Sequence, residues 1–519
     1  MISDADRIWL FDTTLRDGSQ TEGISFSCED KLDILKRLDA FGMDFVEGGW
    51  PGSNPRDDDF FSKAETSGNC RLVAFGSTHK HGVLPEDDKG LKALAECRTE
   101  WCCIFGKAWD FQVKEALRIN LDENLDIIQN SVAYLVSKGK HVIFDAEHFF
   151  DGYASNSGYA INVLRAAELG GAEWIVLCDT NGGSLPDRIS DSVEDALLSV
   201  GVPLGIHCHN DSDLATACTL AAVESGCTMV QGTINGIGER CGNANLCAVI
   251  PDLVLKMGYN VGKTDLKDLT ALSIFVSETA NMSRPSGMPY VGSSAFVHKG
   301  GIHASAVARN TKSYEHIDPE SVGNKRRIPV SDMAGRASIK EKLKELGLEP
   351  GDDSSTITER IKDLESKGYQ FEGADASFEL LVRRIRGDTE LPFEVVEYRV
   401  FSGNDSEYEA TVVVKTKNGS IEHTAAFGNG PVNALDNALR KALSRLFPSM
   451  EKIRLTDYKV RILDEKAATA AYIRVLIRTT DGKSDWTTVG VSGNVIEASM
   501  IALTDSMEYA LMNEDKVKG

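Results

Sequence analysis

The chain has 519 residues, 42% hydrophobic and 26% charged, the make-up of a soluble globular protein too long for one core, so two or three domains are expected. A formal net charge of −22 argues against nucleic acid or an anionic membrane surface as the main partner, because both need clustered Lys and Arg. No apolar run is long enough to span a bilayer, and the acidic start Met1-Ile2-Ser3-Asp4-Ala5-Asp6 lacks the features of a signal peptide, so a cytoplasmic protein is expected. The 11 cysteines fall between Cys28 and Cys247 without a Cys-x-x-Cys pair and read as reduced, mostly buried thiols.

From Ile8 to about Gly258 short apolar runs alternate with longer amphipathic ones. The strand-like runs are Ile8–Asp12, Asp44–Glu47, Arg71–Gly76, Trp101–Phe105, His141–Asp145, Trp174–Cys178, Leu204–His207 and Met229–Gly232. Helical patterns such as Glu29–Phe41, Asp122–Lys138, Ser157–Leu169 and Ser212–Ser225 lie between them. Eight strands alternating with helices predict an α/β fold, a (β/α)₈ TIM barrel over residues 1–260. A doubly wound open sheet is the alternative, but no Gly-x-Gly-x-x-Gly follows the first strand.

Barrel enzymes carry their chemistry at the C-terminal ends of the strands, and ionisable residues collect there in this sequence. In Gly205-Ile206-His207-Cys208-His209-Asn210-Asp211 the two histidines share one side of a strand, an arrangement that suits a divalent metal. Arg16-Asp17 follows the first strand. Asp17 with His207 and His209 makes an N₂O metal set with open positions for substrate oxygens, and Asn243 could add another oxygen. The guanidinium of Arg16 could hold a carboxylate or stabilise a developing negative charge. Glu47, ending the second strand, is either the orienting partner of Arg16 or a solvent-facing acid.

Residues 261–375 read as a helical linking subdomain, with segments Leu266–Asn281, Ser338–Leu346 and Ile357–Lys367 and a glycine-rich loop Val297-His298-Lys299-Gly300-Gly301-Ile302-His303-Ala304. From 376 to 519 a strand–hairpin–helix pattern occurs twice, so that Val412, Asn418 and Val432 match Val475, Asp481 and Val495. Asn418-Gly419 and Asp481-Gly482 mark the hairpin turns. This duplicated α+β unit has no concentrated catalytic chemistry and is expected to serve binding or assembly.

Three stretches, Phe11-Asp-Thr-Thr-Leu-Arg-Asp-Gly-Ser-Gln20, His207-Cys-His-Asn-Asp211 and Asn235-Gly-Ile-Gly-Glu-Arg-Cys-Gly-Asn-Ala-Asn245, resemble the signatures of the 2-isopropylmalate/homocitrate/citramalate synthase family. Gly428-Asn-Gly-Pro-Val-Asn-Ala-Leu435 resembles that family's amino-acid-sensing domain, so the likeness spans nearly the whole chain. The resemblance implies a metal-dependent barrel acyltransferase joining acetyl-CoA to a 2-oxo acid by a Claisen-type condensation, with hydrolysis of the thioester. It implies Asp17, His207, His209 and Asn243 at the metal, with Mg²⁺ or Mn²⁺ favoured, though His₂Asp also accepts Zn²⁺ or Co²⁺. It places Arg16 and Thr180 on the 2-oxo acid, and Glu147, His303 and Tyr314 among the catalytic groups. His303 and Tyr314 are contributed in cis or by the neighbouring protomer. A homodimer and an amino-acid effector at residues 376–519, isoleucine by resemblance, are also implied.

The segment after the second strand, Glu47-Gly-Gly-Trp-Pro-Gly-Ser-Asn-Pro-Arg56, departs from the Gly-Phe-Pro form of members acting on bulkier oxo acids and resembles the longer citramalate-forming type. It implies pyruvate as the acceptor and a place in isoleucine biosynthesis. The alternatives are 2-oxoisovalerate, as in 2-isopropylmalate synthesis, and homocitrate synthesis. From another class comes a metal-dependent acyl-CoA lyase or aldolase, but such lyases generally lack the C-terminal sensing domain.

Overall fold

The computed structural model describes residues 7–298, 303, 306, 307, 309–327, 336–349, 351, 353–371, 373–388, 391–402, 408–463, 471–482 and 484–513. They form two compact units: residues 7–296 with 317–326, and the described residues among 297–316 and 327–513.

In the first unit eight parallel strands close into a barrel: β1 (Trp9–Asp12), β2 (Phe45–Gly49), β3 (Arg71–Ser77), β4 (Trp101–Lys107), β5 (His141–Glu147), β6 (Trp174–Asp179), β7 (Leu204–Cys208) and β8 (Met229–Gly232). Pairing of Trp9 to Asp12 with Met229 to Gly232 completes the ring. Alternate side chains explain the layering. Phe11, Phe45, Val73, Cys103, Ile143, Val176 and Met229 pack inside the barrel. Their neighbours Leu10, Val46, Ala74, Cys102, Val142, Ile175 and Val230 belong to the outer core beneath the helices.

Local sequence sets the helix ends. The first helix, Cys28–Phe41, starts at a reciprocal capping box between Ser27 and Asp30 and stops at Gly42 in the left-handed conformation. Its buried Ile34, Leu35, Leu38 and Phe41 share one face. Beyond the barrel, the helix Leu269–Thr279 anchors the loop after β8: Asn235 donates to the Ser273 carbonyl and to the Ser277 hydroxyl, both at 2.9 Å.

The second unit holds the helices Arg336–Glu345, Ser354–Ser366 and Asp375–Arg386, then two three-stranded antiparallel sheets, each followed by a helix. One sheet is β9 (Phe393–Ser402), β10 (Tyr408–Thr416) and β11 (Ile421–Gly428), and the other β12 (Arg454–Ile462), β13 (Ile473–Thr480) and β14 (Asp485–Ser492). Gly419 and Gly482 turn both hairpins at positive φ. The duplication reaches single bonds: the Thr424 hydroxyl donates to the Ala438 carbonyl at 2.8 Å, and Thr488 to Ala502 at 2.7 Å.

Two features differ from the sequence expectation. The region after 376 does not open on a strand, because Asp375–Arg386 is a helix whose Phe378 and Val382 are buried with Ile357, Ile361 and Val489. Each repeat also gains a leading strand, β9 and β12, for which the sequence pattern made no provision. Among the described residues, no helix is long and apolar enough to cross a membrane.

Candidate active site at the C-terminal end of the barrel

The end of β1 leads into a tight turn in which Asp17 precedes the short helix Gly18–Gln20. Arg16 lies beside it, ion-paired through Nη1 with Asp17 and donating Nε–H to Glu47 at 2.5 Å. Glu47 is fully buried, so it is the partner of Arg16 and not a solvent-facing acid. Its burial pushes the carboxyl up, against the pull of Arg16. The guanidinium of Arg16 lies 3.8 Å from the Phe75 ring centroid, a cation–π contact fixing its plane.

Phe75 belongs to an aromatic wall. It stacks on Phe105 at 5.5 Å, and Trp50 meets both edge-on at 5.5 and 6.0 Å. Trp50 therefore packs against the barrel interior, on the Arg16 side. Its backbone N–H bonds Asp57 at 3.0 Å, and Asp57 is held at 2.6 Å by the buried ammonium of Lys31.

At β7, His207 Nε2 lies 3.6 Å from Asp17 Oδ2, and the His207 and His209 rings are 5.2 Å apart. Burial, with His207 beside it, lowers the His209 pKa to about 4, leaving a neutral imidazole suited to metal ligation. Burial works to raise the Asp17 carboxyl, but Arg16 and the two histidines outweigh it and hold it below the usual range.

The loop after β8 folds back onto β7. His209 and Asn243 form a backbone bridge, and the Asn210 N–H reaches the Gly242 carbonyl at 2.9 Å. The fold requires glycine here: at Gly242, with φ +93°, a Cβ would lie 2.0 Å from the Gly236 carbonyl oxygen. Asn243 donates its amide to the Ile237 carbonyl at 3.2 Å. Arg240 ties the loop across the barrel mouth, gripping Asp211 at 2.8 and 2.9 Å and the Thr180 carbonyl at 2.7 Å. A cavity of about 260 Å³ opens beside this loop, with Thr21, Ile237, Arg240, Cys241 and Arg284 in its lining.

Asp17 Oδ2, His209 Nδ1 and Asn243 Oδ1 are all buried without a hydrogen-bond partner. Unsatisfied buried polar atoms are costly, and two oxygens and an imidazole nitrogen are donors a divalent cation accepts. The donor set fits a metal. Among the described residues, however, no three His, Cys, Asp or Glu side chains cluster so as to hold a metal ion by themselves. The fit therefore rests on the chemistry of the orphaned atoms, with the amide oxygen of Asn243 among them.

Glu147, ending β5, forms an ion pair with Lys107 of β4. Thr180 accepts the His148 N–H at 2.8 Å. In the second unit, the rings of His303 and Tyr314 meet at a tilt with their centroids 4.2 Å apart, and Tyr314 is 47% exposed. Residues 299–302 and 304 of the glycine-rich loop lie outside the described residues. Of the cysteines, nine are buried, Cys97 is half-buried and Cys241 is exposed.

Lys107 and Phe75 carry no sequence signal, and Arg240 and Asp211 stand in the family-like motifs without their pairing being readable there. Lys107, Arg240, Asp211 and Phe75 act through partners far away in the chain. A polar residue inside an apolar strand, Gln231 in Met229-Val230-Gln231-Gly232, was the one readable signal.

Three family models match successive parts of the chain: HMGL-like over residues 7–276, homocitrate synthase post-HMGL domain-like over 290–369, and LeuA allosteric (dimerisation) domain over 372–511. An Aquifex aeolicus protein named (R)-citramalate synthase is 52% identical, covering 99% of both chains. One of the same name from Geobacter sulfurreducens is 50% identical over 98% of each. A Methanocaldococcus jannaschii protein named 2-isopropylmalate synthase is 33% identical over 98% of this chain and 96% of its own.

Proposed function

On the premise that this chain belongs to the 2-isopropylmalate/homocitrate/citramalate synthase family, we propose that it condenses acetyl-CoA with pyruvate and hydrolyses the thioester to give (R)-citramalate and CoA. The observation that carries this reading is the pair of matches at 52% and 50% identity to proteins named (R)-citramalate synthase, each along essentially the whole chain. The 2-isopropylmalate synthase match stands at 33%.

In this reading Asp17, His207, His209 and the amide oxygen of Asn243 hold a divalent cation, Mg²⁺ or Mn²⁺ in preference to Zn²⁺ or Co²⁺. When bound, the cation supplies Lewis-acid stabilisation for charge developing on the keto oxygen. Arg16, with Glu47 fixing its plane, sets a guanidinium beside the same oxygen. Thr180 binds the carboxylate of the oxo acid. Glu147, paired with Lys107, and the His303–Tyr314 pair handle the protons: one leaves the acetyl methyl as its carbon attacks the keto carbon, and one is delivered to the resulting alkoxide. Water then cleaves the thioester and releases CoA thiol. The wall of Trp50, Phe75 and Phe105 narrows the acceptor side and favours the methyl group of pyruvate over a branched chain. We assign the duplicated sheets of residues 376–519 to pairing of two protomers and binding of isoleucine, which places the enzyme in isoleucine biosynthesis under feedback control.

The test is product identification by chiral chromatography after incubating purified protein with acetyl-CoA, pyruvate and Mn²⁺. (R)-Citramalate that disappears when EDTA replaces Mn²⁺ supports the proposal. A product that persists undiminished under chelation would remove the metal from it.

A further inference from the structure

Beneath the proposed metal ligands a second line of side chains crosses the barrel. His207 Nδ1 lies 2.8 Å from Gln231 Oε1, and Gln231 Nε2 lies 3.1 Å from Asp145 Oδ1. Gln231 is fully buried, and Asp145 is 4% exposed. Neither Gln231 nor Asp145 lies in the motifs that carry the family resemblance.

The direction of the bonds follows from what each group can do. A carboxylate only accepts, so the amide nitrogen of Gln231 must face Asp145. Its amide oxygen is then left facing His207, and an amide oxygen also only accepts. The proton on His207 must therefore sit on Nδ1, leaving the lone pair on Nε2, the nitrogen 3.6 Å from Asp17 Oδ2. We infer that Asp145 and Gln231 form a positioning relay that fixes the Nδ1–H tautomer and ring plane of His207, presenting Nε2 to a divalent cation. Ligating histidines are commonly held in this way through the other ring nitrogen. Here an amide stands between the histidine and the carboxylate, so the relay sets the tautomer without placing a full negative charge against the ring.

This inference rests on the reading of His207 as a metal ligand, and the experiment separates the two. Mn²⁺ binding is titrated calorimetrically into the metal-free wild type, His207→Ala, Gln231→Leu and the double variant Asp145→Asn/Gln231→Glu. The double variant exchanges donor and acceptor between the lower two members and keeps an oxygen acceptor for Nδ1–H. Gln231→Leu should bind Mn²⁺ about 10- to 100-fold more weakly, and the double variant should recover most of that loss. Wild-type affinity in Gln231→Leu would overturn the relay while leaving the metal reading in place. Unchanged affinity in His207→Ala would overturn both. Should Gln231→Leu fail to fold, long-range ¹⁵N NMR of histidine-labelled, metal-free wild type reads the tautomer directly. An Nδ1–H form of His207 agrees with the relay, and an Nε2–H form contradicts it.

Discussion

Glu47 is fully buried and accepts the Nε–H of Arg16 at 2.5 Å, while the other edge of the same guanidinium pairs with Asp17. The arginine is thus clamped between two carboxylates, with its guanidinium carbon over the Phe75 ring. A lysine ammonium is a point charge on a flexible stem and cannot satisfy both partners in one plane. Arg16→Lys should therefore lower kcat by about 100- to 1000-fold, the scale of losing one preorganised donor to a developing oxyanion. Glu47→Gln keeps the guanidinium but loosens its orientation and should cost about 10- to 100-fold. Steady-state kinetics with pyruvate checks both, and a near-wild-type Arg16→Lys enzyme would contradict the role given to Arg16.

Asp39 supplies a pH test of stability away from the site. Burial works to raise its carboxyl, but the hydroxyl and backbone N–H of Ser67 and the N–H of Cys70 outweigh it and hold the pKa below the usual 3.8. A carboxyl depressed in the folded state adds stability that is full above its unfolded pKa and lost as pH falls through the folded value. The melting temperature of wild type should exceed that of Asp39→Asn at neutral pH, with the gap closing in acid below about pH 4. A gap that stays constant between neutral and acid pH would contradict this assignment.

Thiol chemistry should report on the loop after β8. Cys241 is the exposed cysteine and lines the cavity beside the site, whereas burial raises the thiols of Cys102 and Cys247 to about 12. Iodoacetamide should modify Cys241 first in the native protein, with half-buried Cys97 behind it, and turnover should fall in step with Cys241 labelling. Peptide mass spectrometry checks the order. Prior labelling of Cys103 or Cys178 would mean that the barrel interior opens.

Much of the site was legible because its parts lie in local runs. Arg16-Asp17, His207-x-His209 and the Asn235–Asn245 loop each announce themselves by residue type at a strand end, and the barrel supplies the reason they meet. What escaped was long-range or ambiguous in pattern. Lys107 pairs with Glu147 and Arg240 with Asp211 across separate strand ends, and no spacing rule connects them. In β9 and β12 most positions are exposed or half-exposed, so charged residues mask their period-two pattern. In the second unit, the helix Asp375–Arg386 owes its place to Phe378 and Val382 packing beside Val489, more than a hundred residues onward.

The duplicated sheets carry a prediction about control. Isoleucine added to the full-length enzyme should lower the condensation rate and raise the melting temperature, with leucine and valine weaker in both. Inhibition by leucine alone would reassign the effector, and no response to any of the three would remove the sensing role.

The acceptor fixes which product this enzyme makes. The direct measurement is kcat/KM for CoA thiol release by the Mn²⁺-loaded protein with pyruvate, 2-oxoisovalerate and 2-oxoglutarate in turn. A clear preference for pyruvate is expected, by about 10-fold or more, the scale at which a pocket separates substrates differing by a few methyl groups. Preference for 2-oxoisovalerate would show that Trp50, Phe75 and Phe105 do not close the acceptor side and would move the enzyme to 2-isopropylmalate synthesis.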